Sequence, residues 1–228
     1  MGHGATHPDT GEMPDELAIF PLPGAMLLPG GQLPLNIFEP RYLNMIFDAL
    51  GTGRLIGMIQ PAPVAGEEPR DPDLRERPDI YGMGCCGRIV SFAEAGDGQL
   101  RITLLGQSRF RVLDELDDRN GYRRVRAGFD EFAADLDEDA PITVDRPRLL
   151  TAASGFFEAR GLAADWSSIE DAPDDLLVTS LSMVCPFDVR EKQALLESAD
   201  ATTRAALLIE LLEMAALGPQ TDPGSTAH

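Results

Sequence analysis

The body of this chain has no histidine. All three, His3, His7 and His228, sit near the ends of the 228 residues. Serine or cysteine catalysis that relies on an imidazole base therefore has no candidate in the folded part, and His-rich zinc sites have no ligands. Lysine is almost missing too: Lys192 is the one lysine among 19 basic residues. A phosphate loop of the G-x-x-x-x-G-K-[ST] type needs lysine directly after glycine, and Lys192 follows Glu191. Any Ser–Lys dyad would have to use the same lysine, and it falls in DVREKQALLE, which reads as the surface of an ordinary helix. Cysteine is scarce and odd in number: Cys85, Cys86 and Cys185. Neighbours on a strand point to opposite faces, so Cys85 and Cys86 are poorly placed to bridge, and reduced thiols in a cytoplasmic protein are expected. Their spacing assigns no reactivity. No metal and no cofactor is expected.

Long apolar runs are absent as well. Nothing approaches the roughly 20 residues of a membrane span, and MGHGATHPDTGEMPDELAIF has neither the basic start nor the apolar run of a leader. Met1-Gly2 with Thr6 fits a myristoylation pattern only formally. Positive charge is outweighed, 38 Asp and Glu against 19 Lys and Arg, for a net charge of −19. Such a surface repels phosphate backbones and anionic lipid, which argues against nucleic acid and membrane partners. The acids gather in runs, Asp114, Glu115, Asp117 and Asp118, then Asp135, Asp137, Glu138 and Asp139. Such runs read as solvated loops and not as a catalytic pair.

What is present is 43% hydrophobic, enough for a core without staples. Residues 1–16 read as a polar tail. From Leu17 to about residue 130 the pattern is short strands with one helix. LAIFPLPG and QLPLNIF read as strands, with residues 25–29 between them an apolar loop or short strand; Pro21, Pro23, Pro29 and Pro34 cannot donate to a ladder, so these strands are expected at edges or irregular. Glu39-Pro40-Arg41-Tyr42 opens the helix, with Tyr42, Leu43, Ile46, Phe47 and Leu50 at helical spacing and Gly51 as its stop. RLIGMIQ, a long or bulged IYGMGCCGRIVSFAE, QLRITLLG, SRFRVLDEL and GYRRVRAGF are further strands. Residues 61–79 read as an exposed loop, and Gly96-Asp97-Gly98 as a hairpin turn. Residues 131–145 carry acids and no base and read as a linker. From 146 to 218 the period becomes 3.6, for about four helices. Leu176, Leu177, Leu181 and Val184 are expected to share one inner face. Asp188 with Glu191 forms a capping box, Asp200 caps the last helix, and 219–228 is a tail. The class is α+β, a β-rich part followed by a helical bundle.

The segment AIFPLPGAMLLPGGQLPLNIFEPRY, residues 18–42, resembles the opening of the amino-terminal substrate-recognition domain of Lon proteases. YGMGCCGRIVSF with GDGQLRITLLGQSRFRV resembles that family's Gly-x-x-x-x-Ile strand, Gly-x-Leu hairpin and Gly-x-x-Arg-Phe element. EKQALLESAD with Arg204 resembles its helical Lys-Gln-x-Leu-Leu-Glu segment. The resemblance spans about residues 17–217. It implies a twisted β pseudo-barrel of PUA-like kind, then helices, and binding of unfolded or tagged protein segments. In full Lon proteases ATPase and Ser–Lys protease domains come next, and here the chain ends. The implied protein is a stand-alone, non-catalytic recognition module, an adaptor or regulator of proteolysis, with extended clients and a protease or chaperone as partners. Its oligomeric state is left open.

Within the family motif, Phe20, Pro21, Leu22, Pro34, Leu35, Ile37 and Phe38 are expected in the core or the strand framework. Glu39, Pro40, Arg41 and Tyr42 are expected to form a helix start with an ion pair. Gly106, Arg109 and Phe110 are expected to fix the sheet. Peptide contact is assigned to Met26, Leu27 and Leu28, which lie in a glycine-bounded segment where apolar side chains need not be buried and Met suits varied partners.

Two other functions stay open. PUA-like folds often bind RNA, and Arg101, Arg109, Arg111, Arg119, Arg123, Arg124 and Arg126 crowd together, with Tyr122 on the face of Arg124 and Arg126. Against this stand the interleaved acids and the net charge. A small-ligand pocket is the other; the zinc-holding addition that some Lon-like domains use for it cannot be built from these cysteines and histidines. The purified protein is expected to hydrolyse no ATP and to leave unfolded casein intact in a gel assay. Casein cleavage by the pure protein, lost in Lys192→Ala, would overturn the non-catalytic reading.

Overall fold

The computed structural model describes residues 13–62, 77–96, 98–137 and 140–217. Most of the two tails and of the 61–79 loop, Asp97 of the hairpin turn, and Glu138 and Asp139 lie outside the described residues. In chain order the elements are β1 (Glu16–Pro21), β2 (Gln32–Ile37), α1 (Pro40–Leu50), β3 (Leu55–Ile59), β4 (Met83–Glu94), β5 (Leu100–Arg119) and β6 (Tyr122–Gly128). A 3₁₀ segment (Asp130–Leu136) follows, then α2 (Arg146–Ala159), α3 (Trp166–Asp171), α4 (Asp174–Val184), α5 (Val189–Glu197) and α6 (Ala201–Leu217).

The class is α+β as expected. The β part is one six-stranded sheet of order β2-β5-β4-β3-β1-β6, in which β6 also pairs back with β5. Only β1 and β3 run parallel. The 20-residue β5 pairs with β2 and β4 along its first part and with β6 from Arg111 onward. The bulging expected from the glycines of β4 is there, as register shifts at Cys86/Gly87 and Ile89/Ser91. Pro34 sits on β2, at the end of the strand order as expected, whereas β1, also expected at an edge, lies between β3 and β6 and has Pro21 only as its last residue.

Phe110 is fully buried in a cluster with Leu17, Ile19, Ile59, Cys86, Val125 and Ala127. Two glycines make room for its ring: a Cβ on Gly57 would lie 2.9 Å from the ring, and one on Gly84 2.6 Å. All three cysteines are buried and none forms a disulfide, and burial pushes the Cys86 thiol up to about 12, so it stays a protonated packing group.

The segment between β1 and β2 is pinned by backbone. Gly30 donates to Gly106 O at 3.0 Å, and Gly106 donates to Gly31 O at 2.8 Å. A Cβ on Gly106 would lie 1.9 Å from Leu28 O, so only glycine lets the two chains touch. Leu27 rests on Gly87, where a Cβ would meet its Cδ2 at 2.6 Å. Met26, Leu27 and Leu28 end up 2%, 1% and 0% exposed.

Arg41 donates to Glu39 at 3.0 Å at the start of α1, with Pro40 in the first turn, as expected. The β5–β6 turn uses Asn120 and Gly121 at positive φ, 50° and 87°, the pair a tight hairpin favours. The side chains of Asn120 and Tyr122 both donate to Asp48 of α1, at 2.9 and 2.8 Å. Most of the crowded arginines are likewise matched to acids: Arg109 to Asp135, Arg111 to Glu131, Arg123 to Glu115 and Arg124 to Glu16, at 2.7 to 2.9 Å.

The chain divides into two compact units. One takes the chain up to Ala140 together with Pro186–Leu196; the other takes Pro141–Cys185 and the chain from Glu197 on. This differs from the expected boundaries in two places. The acidic stretch after Asp130 is part of the sheet's unit, because Phe132 is buried and Asp135 grips Arg109. And α5 leaves the helices for the strands. Its Lys192, expected on the surface, is 7% exposed and donates to Gly24 O at 2.6 Å. Gln193 donates to Met83 O, and Gln60 donates to Val189 O and to Gln193, each at 3.2 Å. The capping box is real: Asp188 and Glu191 exchange backbone-to-side-chain bonds at 2.8 Å.

In the second unit α2 and α6 carry the core: Leu149, Ala153 and Phe156 from one, Leu208 and Leu212 from the other. Asp145 caps α2 and Asp200 caps α6. On α4 only Leu177 and Leu181 of the expected face are buried. Leu176 and Val184 are 49% and 74% exposed, because the inner stripe runs through Val178 and Ser182 instead.

Two outcomes follow from these contacts. Gly106→Ala is expected to destabilise the protein by about 3 kcal/mol in urea unfolding, since backbone must move to admit one methyl. For Glu115, burial raises its pKa, but hydrogen bonds from Arg123 and Arg77 outweigh that and hold the carboxyl below its usual value. A depressed carboxylate stabilises above its unfolded value of about 4.3 and stops doing so as pH falls through the folded one. The stability gap between wild type and Glu115→Gln should therefore be constant above about pH 5.5 and narrow below about pH 4.

Candidate functional site

The sequence placed peptide contact at Met26–Leu28, and the structure buries all three. The premise that a glycine-bounded segment leaves them free fails, because its glycines draw the segment onto β5 instead. Of the motif residues expected inside, Phe20 and Ile37 are buried and Leu35 is half-buried, while Phe38 is 62% exposed. Phe38 lies between the end of β2 and the start of α1, beyond the last paired residue. Pro21 and Tyr42 are buried, Leu22, Glu39 and Arg41 half-buried, and Pro34 and Pro40 exposed. Gly106, Arg109 and Phe110 are buried on β5.

Apolar surface is exposed elsewhere on the first unit. Helix α1 has two apolar stripes. Tyr42, Met45, Ile46 and Ala49 go inward. Leu43, Phe47 and Leu50 form the other stripe, and Phe47 is 53% exposed. Its ring meets Phe92 of β4 edge-on, with centroids 6.5 Å apart. Phe92 is itself 38% exposed, and Val90 on the same strand 50%. Across the sheet Phe92 stands opposite Ile102, and Ile102 opposite Leu35. Directly opposed residues share a face, so one apolar row runs from Phe47 through Phe92 and Ile102 to Leu35 on the edge strand; Phe47 and Phe92 are its exposed part, Leu35 is half-buried and Ile102 between them is buried.

Helical spacing alone could not choose which stripe of α1 faces solvent, and Phe92 and Val90 were read only as strand. The signal that was available is that seven-residue pairs such as Tyr42/Ala49 and Leu43/Leu50 compete on one short helix.

The row contains no titratable group, and among the described residues no cluster of three His, Cys, Asp or Glu could hold a metal. Its chemistry is desolvation and shape. A groove of about 710 Å³ in the second unit, lined by Pro147, Ala152, Gly155 and Leu217, lies open to solvent with the Arg148–Glu213 ion pair among its lining residues. Enclosing walls for a small ligand are lacking there. Four of the seven arginines that would face RNA, Arg109, Arg111, Arg123 and Arg124, are engaged by carboxylates. No helix among the described residues is long and apolar enough to cross a membrane.

Known proteins resemble this chain along most of its length. Lon protease 2 of Myxococcus xanthus is 26% identical over 202 residues, 88% of this chain and 24% of that protein. Lon protease of Dictyoglomus thermophilum is 26% identical over 226 residues, 90% of this chain and 26% of that protein. The chain thus spans about a quarter of the length of these relatives. A solved Lon N-terminal domain protein from Xanthomonas campestris superposes with a TM-score of 0.59 at 24% identity, covering 86% of this chain and 97% of that one. The N-terminal domain of a Mycobacterium avium complex Lon protease gives 0.54 at 15% identity, with the same coverage of both chains. These two share the fold. The description of the substrate-binding domain of ATP-dependent protease La (LON) matches residues 16–214, and the chain belongs to that family.

Proposed function

We propose that this protein holds extended apolar segments of non-native polypeptides on the apolar surface around Phe47 and Phe92 of its first unit, as a recognition module that acts without catalysis of its own. The observation that carries this reading is the Phe47–Phe92 pair, two aromatic rings in mutual contact that both remain substantially exposed. Exposed apolar groups in a cluster mark interaction surfaces, whereas single ones do not. The family's description as a substrate-binding domain supports the same role. The relatives named Lon protease extend well beyond the matched part, which supports a place beside a proteolytic or chaperone machine in the cytoplasm, as adaptor or regulator.

The affinity follows from area. Covering roughly 300–400 Å² of apolar surface yields about 8–10 kcal/mol gross at 25 cal/mol per Å², and ordering a flexible chain consumes much of it. A Kd of about a micromolar or weaker remains. It should change little with salt, in contrast to phosphate-backbone binding. The test is fluorescence anisotropy of a labelled unfolded peptide at low and high salt, with wild type and the Phe47→Ser/Phe92→Ser double variant. Removing roughly 100 Å² of contact should cost about 2.5 kcal/mol, a rise in Kd of well over tenfold. Unchanged affinity in a folded double variant would defeat the reading, and affinity that collapses with salt would favour RNA.

A further inference from the structure

The apolar row ends on a strand whose outer side is open. Among the described residues β2 pairs only with β5 and terminates the strand order. The direction of its backbone groups can be derived. Gly106 donates to Gly31 O, and the register sets Gln32 opposite Leu105. In an antiparallel ladder that bond flanks a pair that is not itself hydrogen-bonded. Leu33, Leu35 and Ile37 therefore bond to β5, and Gln32, Pro34 and Asn36 turn their backbone groups outward. All three outward residues are exposed. The open edge thus offers carbonyls at 32, 34 and 36, and N–H groups at 32 and 36 only.

From this edge we infer that the client polypeptide is held as an added β-strand alongside β2, and that Pro34 is the residue that reserves the edge for clients. The inference rests on the client-binding reading above and names how the backbone is gripped. An extended segment can make both bonds at Gln32, both at Asn36, and donate one N–H to the Pro34 carbonyl. A second copy of this chain cannot do as well. Two-fold pairing of β2 with β2 about its centre sets Pro34 against the partner's Pro34, and two prolines exchange no bond. The missing donor thus disfavours the self-complementary partner while leaving a generic chain most of its bonds. Alternation fixes the client's chemistry too. Its residues standing beside Leu33 and Leu35 continue the row toward Ile102, Phe92 and Phe47 and should be apolar, while those between face solvent.

The test uses the full protein and a labelled extended peptide with apolar residues at every second position. Two further peptides carry N-methyl groups on alternate amides, one on the odd set and one on the even set. Only one edge of an added strand faces β2, so one methylated peptide should bind at least about tenfold more weakly than the other. Equal binding of both, with the unmodified peptide still bound and still sensitive to Phe47→Ser/Phe92→Ser, overturns the added strand and leaves client binding standing. No binding of the unmodified peptide overturns both. In parallel, Pro34→Thr restores the central N–H. It should tighten the unmodified peptide severalfold and cause concentration-dependent dimerisation in sedimentation velocity. A folded Pro34→Thr protein that shows neither change overturns the role given to Pro34.

Discussion

Arg109 is the side chain on which the first unit is assembled. Its backbone N–H and two of its guanidinium nitrogens all donate to the Asp135 carboxylate, at 2.9, 2.8 and 2.7 Å. A third nitrogen donates to Leu196 O at 3.3 Å, and the guanidinium lies 5.1 Å from the centre of the Phe132 ring. The pair is almost fully buried, 6% and 8% exposed. A buried pair of this kind is weak evidence of net stability, but removing one partner strands the other and costs about 3–5 kcal/mol. Three parts of the chain far apart in sequence thus meet on one residue of β5: the strand itself, the 3₁₀ segment and the end of α5. The two neighbours that matter most lie beside it. Phe110 fills the core, and Gly106 admits the Leu28 backbone. The Gly-x-x-Arg-Phe element is therefore a junction, with each residue serving a different contact.

The same junction explains which parts of the fold were legible in the sequence. Alternation placed Leu100, Ile102 and Leu104 on one buried face, but it read QLRITLLG and SRFRVLDEL as two strands where the structure has the single β5. Local signals gave the caps, since Asp188, Glu191 and Asp200 act within three residues of themselves. What periodicity missed is burial of polar groups. Lys192 and Gln193 read as surface, and Gln60 as no more than the end of a strand, because a sequence pattern scores polarity and not the carbonyl waiting for the donor. Those acceptors, Gly24, Met83 and Val189, lie as much as 168 residues away. An acidic stretch reads as a linker for the same reason, until Arg109 is known to lie opposite.

Exposed apolar surface was legible in kind and misplaced in position. The family motif pointed to a glycine-bounded apolar loop, yet glycines that permit close approach bury as readily as they expose. Gly30 and Gly31 bring the loop down on Gly106. The exposed aromatics sit instead where two apolar stripes share the eleven-residue α1 and only one can face the core. The buried stripe is centred on Met45 and Ile46, and Phe47, one residue on, is rotated about 100° from Ile46.

An exposed aromatic pair beside an open strand edge is an aggregation hazard in most proteins. Here two features oppose it at different ranges. The net charge of −19 makes copies repel each other before contact, though salt confines that repulsion to about 8 Å at physiological ionic strength. Within that distance short-range chemistry decides, and there Pro34 withholds the donor that edge-to-edge pairing would use. Neither device acts strongly against a neutral or basic unfolded chain. Long-range charge favours its approach, and its own N–H groups can reach the β2 carbonyls. Under the proposed client-binding role, the surface is thus biased against copies of itself and tolerant of a varied sequence, which is the combination that a module serving many clients requires.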